Sequence, residues 1–318
     1  MKKLALLLGA LSLVSSVAYA KEVVPAVEEV VVVEEAAPVA AAPALRVTSV
    51  GQFIEVDNNS GSSNIGEDVF FGNTVGLAYG DDWTFGLMAS KIWDVDTEGV
   101  HSKNHRIELD AWRHFDNFSV GARWRQESGK DRYLARVKYN YGMFSGWVDA
   151  GYESQNSHTD LEEISGNSYD DNWYSEGMPL AVTVGPVTVG YYYEYLKYVG
   201  NENITEDDFH KSDLRHQLRA MFPIYNGEKL TLSGEYRYQF AQDVDQYSTW
   251  RDYEIEEDWQ EKTAHVAILN ASYAVTDALT VSGYYRYDFN EYEAHGNISK
   301  DKADNYYGEF SVGWNYAF

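Results

Sequence analysis

Residues 308–318 read GEFSVGWNYAF. Phe310, Val312, Trp314, Tyr316 and Phe318 take every second position, and Glu309, Ser311, Gly313 and Asn315 fill the gaps. Successive side chains of a strand point to opposite faces, so this sorting describes a strand lying between two unlike media. The stretch 230–240, LTLSGEYRYQF, sorts in the same way. Thr231, Ser233, Glu235, Arg237 and Gln239 share one face; Leu230, Leu232, Gly234, Tyr236, Tyr238 and Phe240 share the other. Forty-nine residues later LTVSGYYRYDF (279–289) nearly repeats it, and VTVGYYYEY (187–195) is a weaker echo. A recurring strand-sized unit points to hairpins repeated around a closed sheet.

The chain holds about fourteen such segments, near 45–56, 68–79, 83–93, 105–115, 118–126, 132–143, 147–153, 173–184, 187–198, 212–222, 229–240, 261–274, 279–289 and 305–318. Short turns (Gly80 to Asp82, Asp116-Asn117, Phe144 to Gly146, Gly185-Pro186, Pro223 to Glu228, Val275 to Ala278) alternate with connections that are mostly longer and polar, such as 154–172, 199–211 and 241–260. An even strand number with connections sorted by parity is the pattern of a transmembrane antiparallel up-and-down β-barrel of about 14 strands, an all-β fold over 45–318. The final strand resembles the C-terminal targeting signal of outer-membrane barrels. On that resemblance Phe310, Val312, Trp314, Tyr316 and Phe318 form a barrel-assembly signal read by the assembly machinery.

Composition agrees with this reading once barrel strands are considered. The chain has 318 residues, 25 basic and 50 acidic, for a net charge of −25, with 26 Tyr, 13 Phe and 9 Trp. It has no cysteine, which excludes disulfides, thiolate catalysis and cysteine-built zinc sites. So acidic a chain is no nucleic-acid binder. A mean hydropathy of −0.45 suits a barrel, because only alternate residues would meet lipid. Residues 1–20 read as a signal peptide, with Lys2 and Lys3, an apolar Leu4 to Val17 and the small-x-small site Ala18-Tyr19-Ala20. Residues 21–44 hold five Glu and three of the six Pro, and read as an extended, acidic periplasmic linker.

Aromatics near the strand ends (Trp83, Phe85, Trp93, Phe115, Phe118, Trp147, Trp173, Tyr238, Phe240, Tyr287, Phe289, and Trp314 to Phe318) are expected to form interfacial belts against lipid and lipopolysaccharide. Four residues fit badly. Lys91, Arg113 and His216 fall on the lipid phase, and Pro179 sits inside a strand. The opposite phase should line a lumen. It carries Arg46, Arg106, Arg123, Arg125, Arg136, Lys138, Arg215, Arg219, Arg237 and Arg286, with Glu108, Asp110, Asp149, Glu194, Glu235, Asp288 and Glu309. So many charges require water, and fourteen strands leave room for a modest pore. Arg123, Arg125, Arg136 and Lys138 come from adjacent strands and are expected to form a basic stripe favouring anions. The segments 153–172, 199–210, 241–260 and 290–305 together hold 21 acidic and 3 basic residues, so most of the negative charge sits in loops.

No G-x-S-x-G, H-E-x-x-H or P-loop occurs, and the eight histidines are scattered, so no enzyme is read here. Asp243-Val-Asp245 and Glu256-Glu257-Asp258 lack the glycine and spacing of a calcium loop, and no metal or cofactor is expected. The expected function is a water-filled porin for passive diffusion of small hydrophilic solutes and ions. The alternatives are a channel for anionic oligosaccharides or a surface adhesin using the acidic loops.

The opening MKKLALLLGALSLVSSVAYAKEV, the Val/Glu/Ala/Pro segment after it and the ending FSVGWNYAF resemble the fusobacterial major porin family. The fourteen-strand layout resembles monomeric porins of that size. The resemblance implies a general diffusion channel in the outer membrane. Trimeric general porins fold a long third loop into the lumen; here the third loop, Gln126 to Asp131, is very short. A constriction loop of that kind is not expected, and whether the chain forms a homo-oligomer is left open.

Overall fold

The computed structural model describes residues 44–59, 66–95, 99–155, 171–198, 209–250, 253–260, 262–292 and 305–318. The leader over 1–20 and all but the last residue of the linker over 21–44 lie outside the described residues, as does most of the acidic segments 153–172, 199–210 and 290–305. Among the described residues there are strands and turns and no helix.

The strands are β1 (Leu45–Asn59), β2 (Gly66–Tyr79), β3 (Trp83–Val95), β4 (Val100–His114), β5 (Phe118–Glu127), β6 (Lys130–Tyr141), β7 (Phe144–Gln155), β8 (Asn172–Val184), β9 (Val187–Tyr198), β10 (Phe209–Asn226), β11 (Leu230–Trp250), β12 (Tyr253–Gln260), β13 (Lys262–Ala274), β14 (Leu279–Tyr292) and β15 (Asn305–Ala317). Except for β12 and β13, which both pair with β11, each strand pairs antiparallel with its sequence neighbours; β1 pairs with β15 and β10 with β11, so the sheet closes on itself. Closure leaves no edge strand to recruit another chain. β12 and β13 face β11 in one continuous register, with Asp243 opposite Gln260 and Gln239 opposite Ala264. They are two lengths of one strand, and the barrel has fourteen. The expected polar loop over 241–260 is therefore corrected. Most of it is the continuation of a long hairpin, because the β11 register carries on past the barrel wall.

At one end, connections of two to four residues follow β2, β4, β6, β8, β10 and β13. The opposite end holds the longer ones, after β1, β7, β9 and β14, together with connections of four residues after β3 and two after β5 and β11; in the Ser128-Gly129 turn Gly129 takes φ 87, a value that glycine adopts without strain.

Burial follows the alternation. Along β15 and the Phe318 that follows it, Phe310, Val312, Trp314, Tyr316 and Phe318 are 49, 40, 38, 40 and 74% exposed, whereas Glu309 and Ser311 are 2 and 7% exposed. The apolar phase is the outer surface and the polar phase the inner one. The misfits resolve physically. Lys91 keeps the outward phase of Leu87 and Trp93. Arg113 lies over Trp83 (5.7 Å) and Phe115 (5.2 Å) beside the short turns, so its stem covers rings while its head stays at the rim. His216 accepts or donates a 2.6 Å bond with the Tyr191 hydroxyl and stacks on Phe240. Pro179 sits at a bulge, where the β8–β9 register slips between Gly177 and Leu180 and no ladder bond is lost. Trp147 is a correction. It shares the phase of Asp149, points inward and packs against Tyr192 at 6.1 Å, so it belongs to no outer belt.

Candidate functional site

Opposed residues on neighbouring strands point to the same face, and this places every interior candidate. Arg46 lies opposite buried Ala78 and therefore faces inward, exposed at the short-turn rim. Arg106, Glu108 and Asp110 on β4 lie opposite Glu127, Arg125 and Arg123 on β5. Each of these opposed pairs is an ion pair. Arg106 Nε donates to Glu127 at 2.7 Å and Arg125 Nε to Glu108 at 2.5 Å. Arg123 binds Asp110 through two bonds of 2.9 Å. Between β6 and β7, Arg136 opposes Asp149 and Arg132 opposes Glu153. Arg136 donates to Asp149 at 2.9 Å and to Asp110 at 2.5 Å, and Arg132 bonds to Glu153. Five arginines and five carboxylates thus interlock over four strands.

This ladder corrects the expected basic stripe. Arg123, Arg125 and Arg136 are each held by a carboxylate on the adjacent strand, so their charge is neutralised where it stands. Only Lys138 in that set has no ion pair or hydrogen bond among the described residues.

The other half of the wall is built differently. Arg215 bonds to Asp213 (2.7 Å), Arg237 to Glu235 (2.5 Å) and Arg286 to Asp288 (2.7 Å), each within its own strand. The register explains why for the last two. β13 places Val266 between Arg237 and Asp288, and Ile268 between Glu235 and Arg286, so it offers no polar partner. Arg219 gives two N–H groups to the Gln217 carbonyl (3.1 and 2.9 Å) and lies 3.4 Å over Tyr192. Glu194 and Glu176 meet around the Tyr192 hydroxyl, which donates to Glu176 at 2.9 Å.

A third group joins β1 to β15. Glu55, Asp57 and Glu309 bring carboxylate oxygens within 4.8 Å of one another. Tyr284 donates to Glu55 at 2.8 Å and also to Glu309, Tyr307 donates to Glu309 at 3.2 Å, and Arg286 Nη1 lies 3.5 Å from Glu309. The cluster already holds its own donors.

Several interior residues escaped the sequence reading. Glu55 and Asp57 were missed because a register shift between Val47 and Ser49 reverses the phase that Arg46 announces. Glu176 was missed for the same reason at Pro179, a proline inside a strand that was itself a bulge signal. Glu127, Arg132 and Glu153 lie at strand ends, where boundaries read from sequence are loosest. Among the described residues, thirteen carboxylates and eight arginines are buried, so this interior leans acidic, not basic.

Trp112 lies inside as well. Its indole crosses Gly121, where an added Cβ would meet ring carbons at 2.7 Å and the Ala111 carbonyl at 2.5 Å. The glycine lets the ring lie flat and reach the next strand, with Arg136 at 4.7 Å and Lys138 at 4.6 Å over it. Nearby His114 bonds to Ser119 (3.0 Å) and to Thr84 (2.7 Å). A hydroxyl, not a carboxylate, occupies the second ring nitrogen, so this contact lacks the orienting acid of a hydrolase triad.

No protein-family model matches the chain, and no curated protein matches it. Solved structures do. OmpT, an outer membrane protein of Vibrio cholerae, aligns with a TM-score of 0.44 at 12% identity, over 86% of this chain and 98% of that one. An anion-selective porin from Comamonas acidovorans gives 0.43 at 10% identity, over 87 and 100%. OccD1 (OprD) gives 0.41 at 12% identity, over 86 and 95%. The matches are outer-membrane porins and channels. Scores of this size carry no argument about function, which has to be read from the chain's own residues.

Proposed function

We propose that the protein is a water-filled outer-membrane channel for passive diffusion of small hydrophilic solutes and ions. The observation that carries this is the opposition of the two faces: large apolar side chains exposed around the outside, and charged groups paired along the inner wall. An outer surface such as Leu87, Leu109, Val137, Leu180, Leu218, Leu269 and Phe310 is too large an apolar patch to face water, and lipid covers it. Inside, Arg125 Nη1 and Asp149 Oδ1 are buried charged atoms with no hydrogen-bond partner among the described residues. Charged atoms so placed call for water. The ion pairs join strands that are neighbours or one apart, so they run along the wall and none spans the barrel. Fourteen strands make a bore between the filled eight-strand barrel and the wide 16-strand one.

The acidic lean of the interior favours cations over anions, and it counts against the anionic-oligosaccharide alternative, whose arginines would have to be free for the ligand. In this reading the short-turn end faces the periplasm, and the C-terminal strand is the segment recognised during assembly. Swelling of liposomes tests the channel. Vesicles containing the refolded chain swell in isotonic monosaccharide faster than protein-free vesicles; equal rates with a folded barrel present contradict the reading.

A further inference from the structure

The structure assigns to Lys138 the role of the channel's anion contact, a fixed positive charge that binds passing carboxylate or phosphate groups in an otherwise acid-leaning bore. This rests on the channel reading and sharpens it to one side chain.

Three observations combine. First, every arginine of the β4–β7 ladder is held by a carboxylate, whereas Lys138 makes no ion pair or hydrogen bond among the described residues. Second, Lys138 is half-buried on the inner face, opposite Ser119 and Trp147, so its stem is positioned while its ammonium keeps access to the bore. Third, its place is built. Gly121 leaves the space through which Trp112 crosses β5, and the indole face meets the ammonium at 4.6 Å. A cation over an indole is held in position with no opposite charge to offset it, unlike one paired with a carboxylate. Arg136 shares the ring at 4.7 Å, yet Asp110 and Asp149 occupy its donors. Arg219 also has no carboxylate in bonding range, but it is buried and spends its N–H groups on Gln217. Arg46 is also inward and without an ion pair among the described residues, but it stands at the short-turn rim with no ring to hold it; beside the ladder, Lys138 combines charge, access and free donors.

The test is the reversal potential of the refolded full-length chain in a planar bilayer under a KCl gradient, for wild type, Lys138→Gln, Lys138→Met and Lys138→Arg. Folding of each variant is checked by heat-modifiable gel mobility. Removing one charge within a Debye length of the permeating ion should lower the anion-to-cation permeability ratio roughly two- to five-fold in both neutral variants. Arg at 138 should keep the wild-type ratio. The difference should shrink in 1 M salt, which a merely structural role would not produce. Inorganic phosphate should slow KCl current through wild type and not through Lys138→Gln. Folded, conducting neutral variants with wild-type selectivity overturn the assignment to Lys138. A wild-type barrel that does not conduct overturns the channel reading beneath it.

Discussion

Glu108 lies 2% exposed between two arginines, accepting from Arg125 and sitting 3.6 Å from Arg123. Replacing it by Gln leaves Arg125 uncompensated beside Arg123. Glu108→Gln should therefore cost roughly 3 kcal/mol, read as an earlier urea midpoint of the refolded barrel. Glu108→Gln combined with Arg125→Met should recover much of that loss, because the lone charge is gone; a double variant as weak as the sum of the singles contradicts the pairing. Gly121→Ala acts on space, not charge. Its Cβ would press on the Trp112 ring, so the expected outcome is a shifted tryptophan emission and a loss of about 1–3 kcal/mol, checked in the same titration. Much at this scale was legible in the sequence. The phase of Glu309, Arg286, Arg136 and Glu108 is right because uninterrupted alternation fixes it. What alternation cannot show is pairing, since that depends on register between strands. The same arginines that read as a basic stripe turn out to face carboxylates one strand away.

At the scale of the element, errors concentrate where a strand departs from strict pleating. The shift near Val47 hid Glu55 and Asp57, and the one at Pro179 hid Glu176. Length misled most at β11 and β12, where polar, acidic residues continue a hairpin that composition assigned to a loop; the expected turn Phe144 to Gly146 also falls inside β7, and most of Pro223 to Glu228 inside β10. Proline gives a direct check of the bulge. Pro179→Ala should leave the heat-modifiable band unchanged. Ser175→Pro, opposite Ala150 and Tyr195 in an intact ladder, removes a backbone donor and should abolish the folded band. The last strand offers a separate test. Phe318 donates its N–H to the Thr48 carbonyl (3.0 Å), while its ring is exposed and touches Tyr316 edge-on at 5.2 Å. Phe318→Ala should refold in lipid as wild type does, yet accumulate less folded barrel in the outer-membrane fraction of cells. Equal accumulation would remove the assembly role inferred from the aromatic finish.

For the whole molecule, the balance of charge is the quantity that changed most between sequence and structure. A chain of net charge −25 was expected to keep a basic-leaning lumen behind acidic loops. The barrel instead closes around a neutral arginine–carboxylate ladder on β4–β7 and an acidic group on β1 and β15, with Lys138 half-buried between ladder and rim. A barrel that is apolar outside and charged inside has one direct test, the single-channel current of the refolded full-length chain in a planar bilayer with a KCl gradient. Discrete conductance steps with a reversal potential of the cation sign are predicted. A folded, heat-modifiable barrel that inserts and passes no current would contradict the account.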